Sequence, residues 1–366
     1  MKKTVQLLLA IVILSAAYFT FWPVPIDPQV WKAPPQTPYE GDYAVNDSLS
    51  SFDAMDLGGL HGPEAVITGP DNMLYATTHE GWIIRWSSAQ SSEAAEQWVD
   101  AGGRPLGIAF DDQANLWVAN AYLGLQKITP SGELTLELNE VQGTPIDYAD
   151  DLDIASDGWI YFSDASTRFG AKAYDSTLGA SLLDIMEHSL NGRIIAFQPA
   201  TGEAKVVMDQ LSFANGVALS SDESFMLVAE TGGYRVWKHW LQGPSAERSE
   251  VIVDALPGFP DNVHLGQDGR FWVGLTSPRS ALLDDLADKP FWRKVVQRMP
   301  EFIRPNVEIY GHVVAIDSDG NVLANLQDPN EQYAATTGAW ETADYLFVSS
   351  LTESKLARYN KSDIGL

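Results

Sequence analysis

From residue 62 onward, apolar runs and polar turns follow one recurring order: a short apolar strand, a polar turn, a second strand rich in aromatic residues, then a third strand. The cores of these units read GPEAVITGPDNMLYATT, GRPLGIAFDDQANLWVAN, YADDLDIASDGWIYFSD, FANGVALSSDESFMLVAE, FPDNVHLGQDGRFWVGL and TTGAWETADYLFVSS. Alternation with period two marks strands, and SDG or QDG between the runs marks hairpin turns. Stretches such as AKVVMDQL and SEVIVDAL add a further strand after the third, so each unit predicts a four-stranded antiparallel blade. Six such units predict an all-β fold, a six-bladed β-propeller over residues 46–366; an open stack of sheets is the alternative, disfavoured because stacked repeats need capping ends.

The sixth unit ends in KLARYNKSDIGL with no fourth strand behind it, which would leave a raw sheet edge. The segment FDAMDLGGLHGPE, residues 52–64, parallels VVMDQLSFANG and VIVDALPGFPDN. It is therefore expected to supply the missing outer strand and close the ring.

Ahead of the repeats lies a different pattern. After Lys2 and Lys3, residues 4–22 carry no charge and as a helix would span about 28 Å, close to the thickness of a hydrocarbon core. Residues 1–22 thus read as a signal anchor, with the two lysines held in the cytoplasm and the rest of the chain outside it. A cleaved signal peptide, with Ser15 and Ala17 as small residues before the cut and a secreted product, is the rival reading. Residues 23–45, with six prolines, read as a semi-extended tether.

Charge and composition narrow the chemistry. Lys plus Arg number 23 and Asp plus Glu 49, a net charge of −26, which argues against a nucleic-acid partner. Zero cysteines exclude disulfides, thiolate metal sites and a cysteine nucleophile, leaving oxygen and imidazole as site chemistry. Aligning the first residue of each inner strand gives Glu64, Leu106, Asp150, Asn215, Asp261 and Thr337, all expected to face one central channel. Three carboxylates converging there repel unless a cation joins them. All-oxygen ligation by Glu64, Asp150, Asn215 and Asp261, with Asn262 adjacent, points to one Ca²⁺ over Zn²⁺ or Mg²⁺. The bland reading of each residue alone is a turn residue at the start of a strand.

Asp261 is a candidate nucleophile or general base beside such an ion, and His312 a candidate acid/base group at the same mouth, as is His61; a surface or structural imidazole is the alternative for both histidines. His264 reads as a packed core residue, and His79, His188 and His239 show no partner in sequence. Insertions at 165–191 and 276–311 interrupt the third and fifth units between their second and third strands, where they would roof the ring residues. In the second, Leu282, Leu283, Leu286, Val295, Val296 and Met299 keep helical spacing, broken at Pro290. Its Lys289, Arg293, Lys294, Arg298 and Arg304 suit a membrane-surface contact near the anchor, or an amphipathic lid packed on the propeller.

GPEAV, GRPLGI with VANAYLGL, DDLDIASDGWIYFSDAS, DQLSFANGVALS with LVAETGG, and PGFPDNVHLGQDGRFWVGL together resemble the strictosidine synthase-like family over nearly the whole chain. The resemblance implies a propeller related to gluconolactonases, paraoxonases and diisopropyl fluorophosphatase, which use a channel calcium to hydrolyse esters, lactones or organophosphates. Carried over, their ligands fall on Glu64, Asp150, Asn215 and Asp261. This sequence departs from them in four places. Asp150 stands where the relatives usually have Asn, Leu106 where paraoxonases have a mouth histidine, and Thr337 where strictosidine synthase has its catalytic Glu. Ala65 replaces an acidic ligand of the second, structural calcium of paraoxonases. The reading that results is a membrane-anchored, extracytoplasmic, Ca²⁺-dependent hydrolase acting on an apolar ester or lactone. A strictosidine synthase-type condensing enzyme and a non-catalytic ligand- or partner-binding propeller are the alternatives.

Overall fold

The period-two runs form strands where the pattern places them, and they assemble into six four-stranded antiparallel sheets. The computed structural model describes residues 2–304 and 307–366. Met1 of the expected anchor and residues 305–306 of the expected second insertion lie outside the described residues. The blades run 66–100, 105–138, 149–211, 214–253, 258–328 and 336–360, and the first strands of successive blades pack side by side around the axis.

The sixth blade takes its outer strand from Asp53–Asp56, which pairs antiparallel with Lys355–Asn360 in the register Asp53 to Arg358 and Met55 to Leu356. Met55 turns inward while its neighbours face solvent, joining Leu57, Trp86, Phe347 and Leu356 in one buried cluster. The closure thus rests on ladder hydrogen bonds and on apolar burial worth about 1.5–3 kcal/mol for each large side chain. Neighbouring blades are joined by apolar burial, as where Leu227 and Val236 of the fourth meet Phe271, Val273 and Val314 of the fifth. One element had no counterpart in the sequence reading: a small hairpin, Glu140–Val141 with Thr144–Pro145, whose carbonyls at 144 and 145 accept from Arg193.

Both insertions interrupt their blades between the second and third strands. The first carries helix α2 (Thr177–Glu187), opened by Ser176, whose hydroxyl accepts from Gly179 N, and ended by His188 in a left-handed conformation. The second carries α3 (Ala281–Asp285) and α4 (Pro290–Arg298). Pro290 begins α4, where its missing N–H costs nothing, so the expected helix break falls where the proline requires it.

The N-terminal helix α1 (Lys2–Phe21) has no buried residue and is a candidate transmembrane or signal segment. The segment after it does more than the tether expected from its prolines: it lies along the roof and is tied down residue by residue. Gln29 N donates to Glu187 O and Trp31 N to Ala287 O. Arg279 donates to the carbonyls of Pro34 and Pro35, and Ile26 is buried. Prolines cannot donate, but their carbonyls remain strong acceptors, and Arg279 of the second insertion uses two of them.

Candidate functional site: a buried carboxylate ring in the channel

Five of the six innermost strands shift register at the residue expected to face the channel. The shifts fall between Pro105 and Ile108, Ala149 and Leu152, Ala214 and Val217, Pro260 and Val263, and Thr336 and Gly338. An extra residue at a bulge leaves the ladder and re-aims its side chain. Leu106, Asp150, Asn215, Asp261 and Thr337 occupy these positions, and Glu64 precedes the first strand, Val66–Thr68. Close approach of the inner strands explains Gly216: a Cβ there would lie 2.5 Å from Asp261 O.

Glu64, Asp150 and Asp261 are all buried, and each offers a carboxylate oxygen within 4.8 Å of the others. Asn215 and Asn262 are buried too, and Asp150 Oδ1, Asn215 Oδ1 and Asn262 Oδ1 have no hydrogen-bond partner among the described residues. The Asn262 amide nitrogen donates to Glu64 O at 3.1 Å, and the Thr337 hydroxyl donates to the same carbonyl at 2.7 Å. Thr337 thus holds the backbone of Glu64. Asp151, next in chain, turns out of the ring: it accepts from Leu152 N and from Val217 N of the adjoining blade, and burial pushes its carboxyl up to about 8.

Burial is the main cause that raises all three ring carboxyls. Asp150 is raised further by the charges of Asp261 and Glu64, and Asp261 by that of Glu64. Glu64 is restrained by Arg104, whose Nη2 lies 2.5 Å from Glu64 Oε2 with both side chains out of solvent. Ionised together, the three carboxylates against one guanidinium would carry a net charge of −2. A hard divalent cation matches that charge, and the unpartnered oxygens of Asp150, Asn215 and Asn262 are the donors it takes, so the residues present fit calcium.

Above the ring, Leu106, Tyr148 and Phe213 join Phe169, Ala180 and Leu183 of the first insertion and Ile26 of the N-terminal segment in one buried apolar cluster. The Tyr148 phenol donates to Thr177 O at the start of α2, and burial, then the charges of Asp150, Glu64 and Asp261, raise it well above its ordinary range. The channel mouth is therefore apolar, roofed by α2 and by the segment that follows α1.

The other singled-out residues stand apart from the ring. His312 opens a third strand, Gly311–Ile316, with Nε2 2.8 Å from Asn325 Oδ1 and its ring against that of Tyr39. Burial lowers its imidazole to about 4. His61 is exposed and pairs with Glu80. His264 is packed edge-on to Trp340 and lowered by burial to about 4, as a core histidine should be. His188, without a partner in sequence, stacks on Trp31 and bonds Ser212 Oγ through Nδ1. Arg104 and Tyr148 went unnoticed in the sequence; the signal available was position, since each lies two residues before a ring residue.

Comparison with known proteins agrees with this architecture. A strictosidine synthase family model matches residues 150–244, and a model for the N-terminal part of strictosidine synthase-like proteins matches residues 41–86. The strictosidine synthase-like 7 protein of Arabidopsis thaliana is 32% identical over 323 residues, covering 86% of this chain and 83% of that protein. The adipocyte plasma membrane-associated protein of Rattus norvegicus is 30% identical over 365 residues, covering 93% and 94%. Among solved structures, a gluconolactonase from Xanthomonas campestris superposes with a TM-score of 0.61 at 17% identity, over 85% of this chain and 90% of that one. A calcium-binding protein, regucalcin, from Agrobacterium tumefaciens superposes with a TM-score of 0.57 at 16% identity, over 84% and 93%.

Proposed function

The chain belongs to the strictosidine synthase-like family, and we propose that it is a membrane-anchored, extracytoplasmic, calcium-dependent hydrolase of apolar esters or lactones. The observation that carries the reading is the buried ring of Glu64, Asp150 and Asp261, which faces the single guanidinium of Arg104. Burial and mutual repulsion oppose ionisation of all three carboxyls, and a bound cation removes that opposition. Glu64, Asp150, Asn215, Asp261 and Asn262 are the residues that would hold the ion. Bound there, calcium would supply Lewis-acid polarisation of a carbonyl oxygen.

The chain's own residues do the rest. Asp261 accepts a proton from the attacking water as the water oxygen bonds the carbonyl carbon. The ester C–O bond then breaks, and Asp261 returns the proton to the departing oxygen. With a cation beside it Asp261 is held as the carboxylate, the form that can take the proton and then give it back. Leu106, Tyr148 and Phe213 exclude water and favour an apolar acyl group. His312, engaged with Asn325, is given no proton to move in this scheme.

The family name favours a second reading, amine and aldehyde condensation. Against it stands Thr337, a hydroxyl committed to Glu64 O and Ser349 Oγ and with no pKa suited to a general base. The test is a screen of the full-length protein in detergent against lactones, aryl esters and phosphotriesters, with calcium and with chelator. Calcium-dependent turnover of an ester or lactone is the expected result. Turnover indifferent to chelation, or condensation of tryptamine with an aldehyde above the uncatalysed rate, would overturn the assignment.

A further inference from the structure

The basic side chains of the second insertion do not form the membrane-facing surface that their number suggests. Arg293 is buried, donating to the carbonyls of Met186, Ala287 and Gln29. Arg298 reaches Phe19 O and Trp22 O at the end of α1, while the Tyr18 hydroxyl donates back to Arg298 O. Arg304 is spent on Met299 O and Gln297 O, and Lys294 pairs with Asp27. These residues fasten the lid, the N-terminal segment and the foot of α1 into one unit.

What that unit turns to solvent is apolar. Val295 and Val296 of α4 face inward, yet Phe291 and Trp292 on its first turn point out, the latter 53% exposed. Just beyond α4, Phe302 is 87% exposed with Ile303 beside it. On α2, Leu178 and Leu182, one helical turn apart, are exposed as well. Large aromatic and aliphatic side chains exposed on a soluble domain mark a contact surface, and aromatic rings favour the boundary between headgroups and acyl chains. The face adjoins the last turn of α1, which leaves the hydrocarbon there if α1 spans a bilayer.

We propose that this lid face docks on the bilayer surface, with Phe291, Trp292 and Phe302 seated in the headgroup and acyl boundary, so that the channel mouth is held against the lipid. The partner is the bilayer that α1 crosses, and the inference rests on the anchor reading given above. Docking is apolar rather than electrostatic, because Arg293, Arg298 and Arg304 are spent on backbone carbonyls, the partly exposed Lys289 and Lys294 are paired with Asp288 and Asp27, and the chain carries a net charge of −26. It should therefore persist at high salt.

The absence of cysteine from the chain makes the test direct. Full-length protein is reconstituted in phosphatidylcholine liposomes carrying doxyl-labelled phosphatidylcholine, with an environment-sensitive fluorophore on a single introduced cysteine. The variants are Trp292→Cys, Phe302→Cys, Leu14→Cys within α1, and Thr201→Cys in a turn at the far end of the third blade. Labels at 292 and 302 should be quenched several-fold more than at 201, at low and at high salt. Quenching at 14 alone overturns the docking while leaving the anchor intact, whereas quenching at none of the four overturns both. Quenching at 292 and 302 that vanishes in high salt overturns the apolar mode of contact.

Discussion

Arg104 reaches across 2.5 Å to Glu64, and neither side chain meets solvent. Among the described residues, the guanidinium is thus the one cation paired with a ring carboxylate. Arg104→Met would keep most of the bulk and remove the charge. Breaking a buried pair costs about 3–5 kcal/mol, but here the loss depends on calcium, since an ion can neutralise what Arg104 no longer does. Thermal melts should show a large drop in chelator and a smaller one in calcium. An equal drop in both would mean that no cation shares the ring.

Calcium itself should stabilise the wild-type chain. A ligand bound only by the folded state adds about 2.7 kcal/mol at a hundredfold excess over its dissociation constant. The melting temperature should rise with calcium and fall with chelator. A melting temperature indifferent to both would refute the ring as a calcium site.

Asp261→Asn separates holding from proton transfer. An amide oxygen can still ligate but cannot accept a proton, so turnover should be lost more completely than calcium-induced stabilisation. Parallel loss of the two would leave Asp261 a ligand only.

The roof makes a prediction about truncation. Removing residues 1–22 should lower the melting temperature only slightly, since Arg298 loses the carbonyls of Phe19 and Trp22 at a place that the deletion opens to water. Removing residues 1–45 should lower it, because Ile26 leaves its buried cluster and the carbonyls that Arg279 and Arg293 use are lost. Ile26→Ala alone should cost about 2 kcal/mol or more. Removing residues 1–60 takes away Asp53–Asp56 as well and should cause aggregation through the bared edge of the sixth blade. Equal melting of the first two truncations would mean that the segment contributes nothing to the fold.

His188 gives the pH dependence a sign. Burial, then the charges of Arg293 and Arg235, lower its imidazole from 6.5 to about 3. The unfolded chain therefore takes up a proton below pH 6.5 that the folded chain refuses. Its contribution to stability is intact above pH 6.5 and is lost progressively as pH falls toward 3. Between pH 6.5 and 5 the loss amounts to about 2 kcal/mol at 1.36 kcal/mol per unit. Buried carboxyls with raised pKa act in the opposite sense, so the comparison is with His188→Gln, whose stability should fall less over that interval. Equal slopes for wild type and variant would show that His188 titrates normally.

Much of the fold was written locally. Period-two runs, SDG turns and the unpaired end of KLARYNKSDIGL suffice for six blades and for closure by the strand that proves to be Asp53–Asp56, because side-chain alternation and turn chemistry act between near neighbours. The ring was legible for a related reason: repetition puts Glu64, Asp150, Asn215 and Asp261 at one position of the repeat, and a closed ring turns one position toward one axis. What the repeat pattern did not hold were relations between residues that share no repeat position. Arg104 meets Glu64 from the neighbouring blade, and the bulges that re-aim Asp150 and Asp261 arise from how inner strands crowd the axis. The arginines of the second insertion read as a basic surface because sequence gives charge without direction; packing turned Arg293 and Arg298 inward onto backbone carbonyls of a segment more than 260 residues away. Only the tertiary structure could decide this, since a buried guanidinium takes whatever acceptors the fold brings within reach.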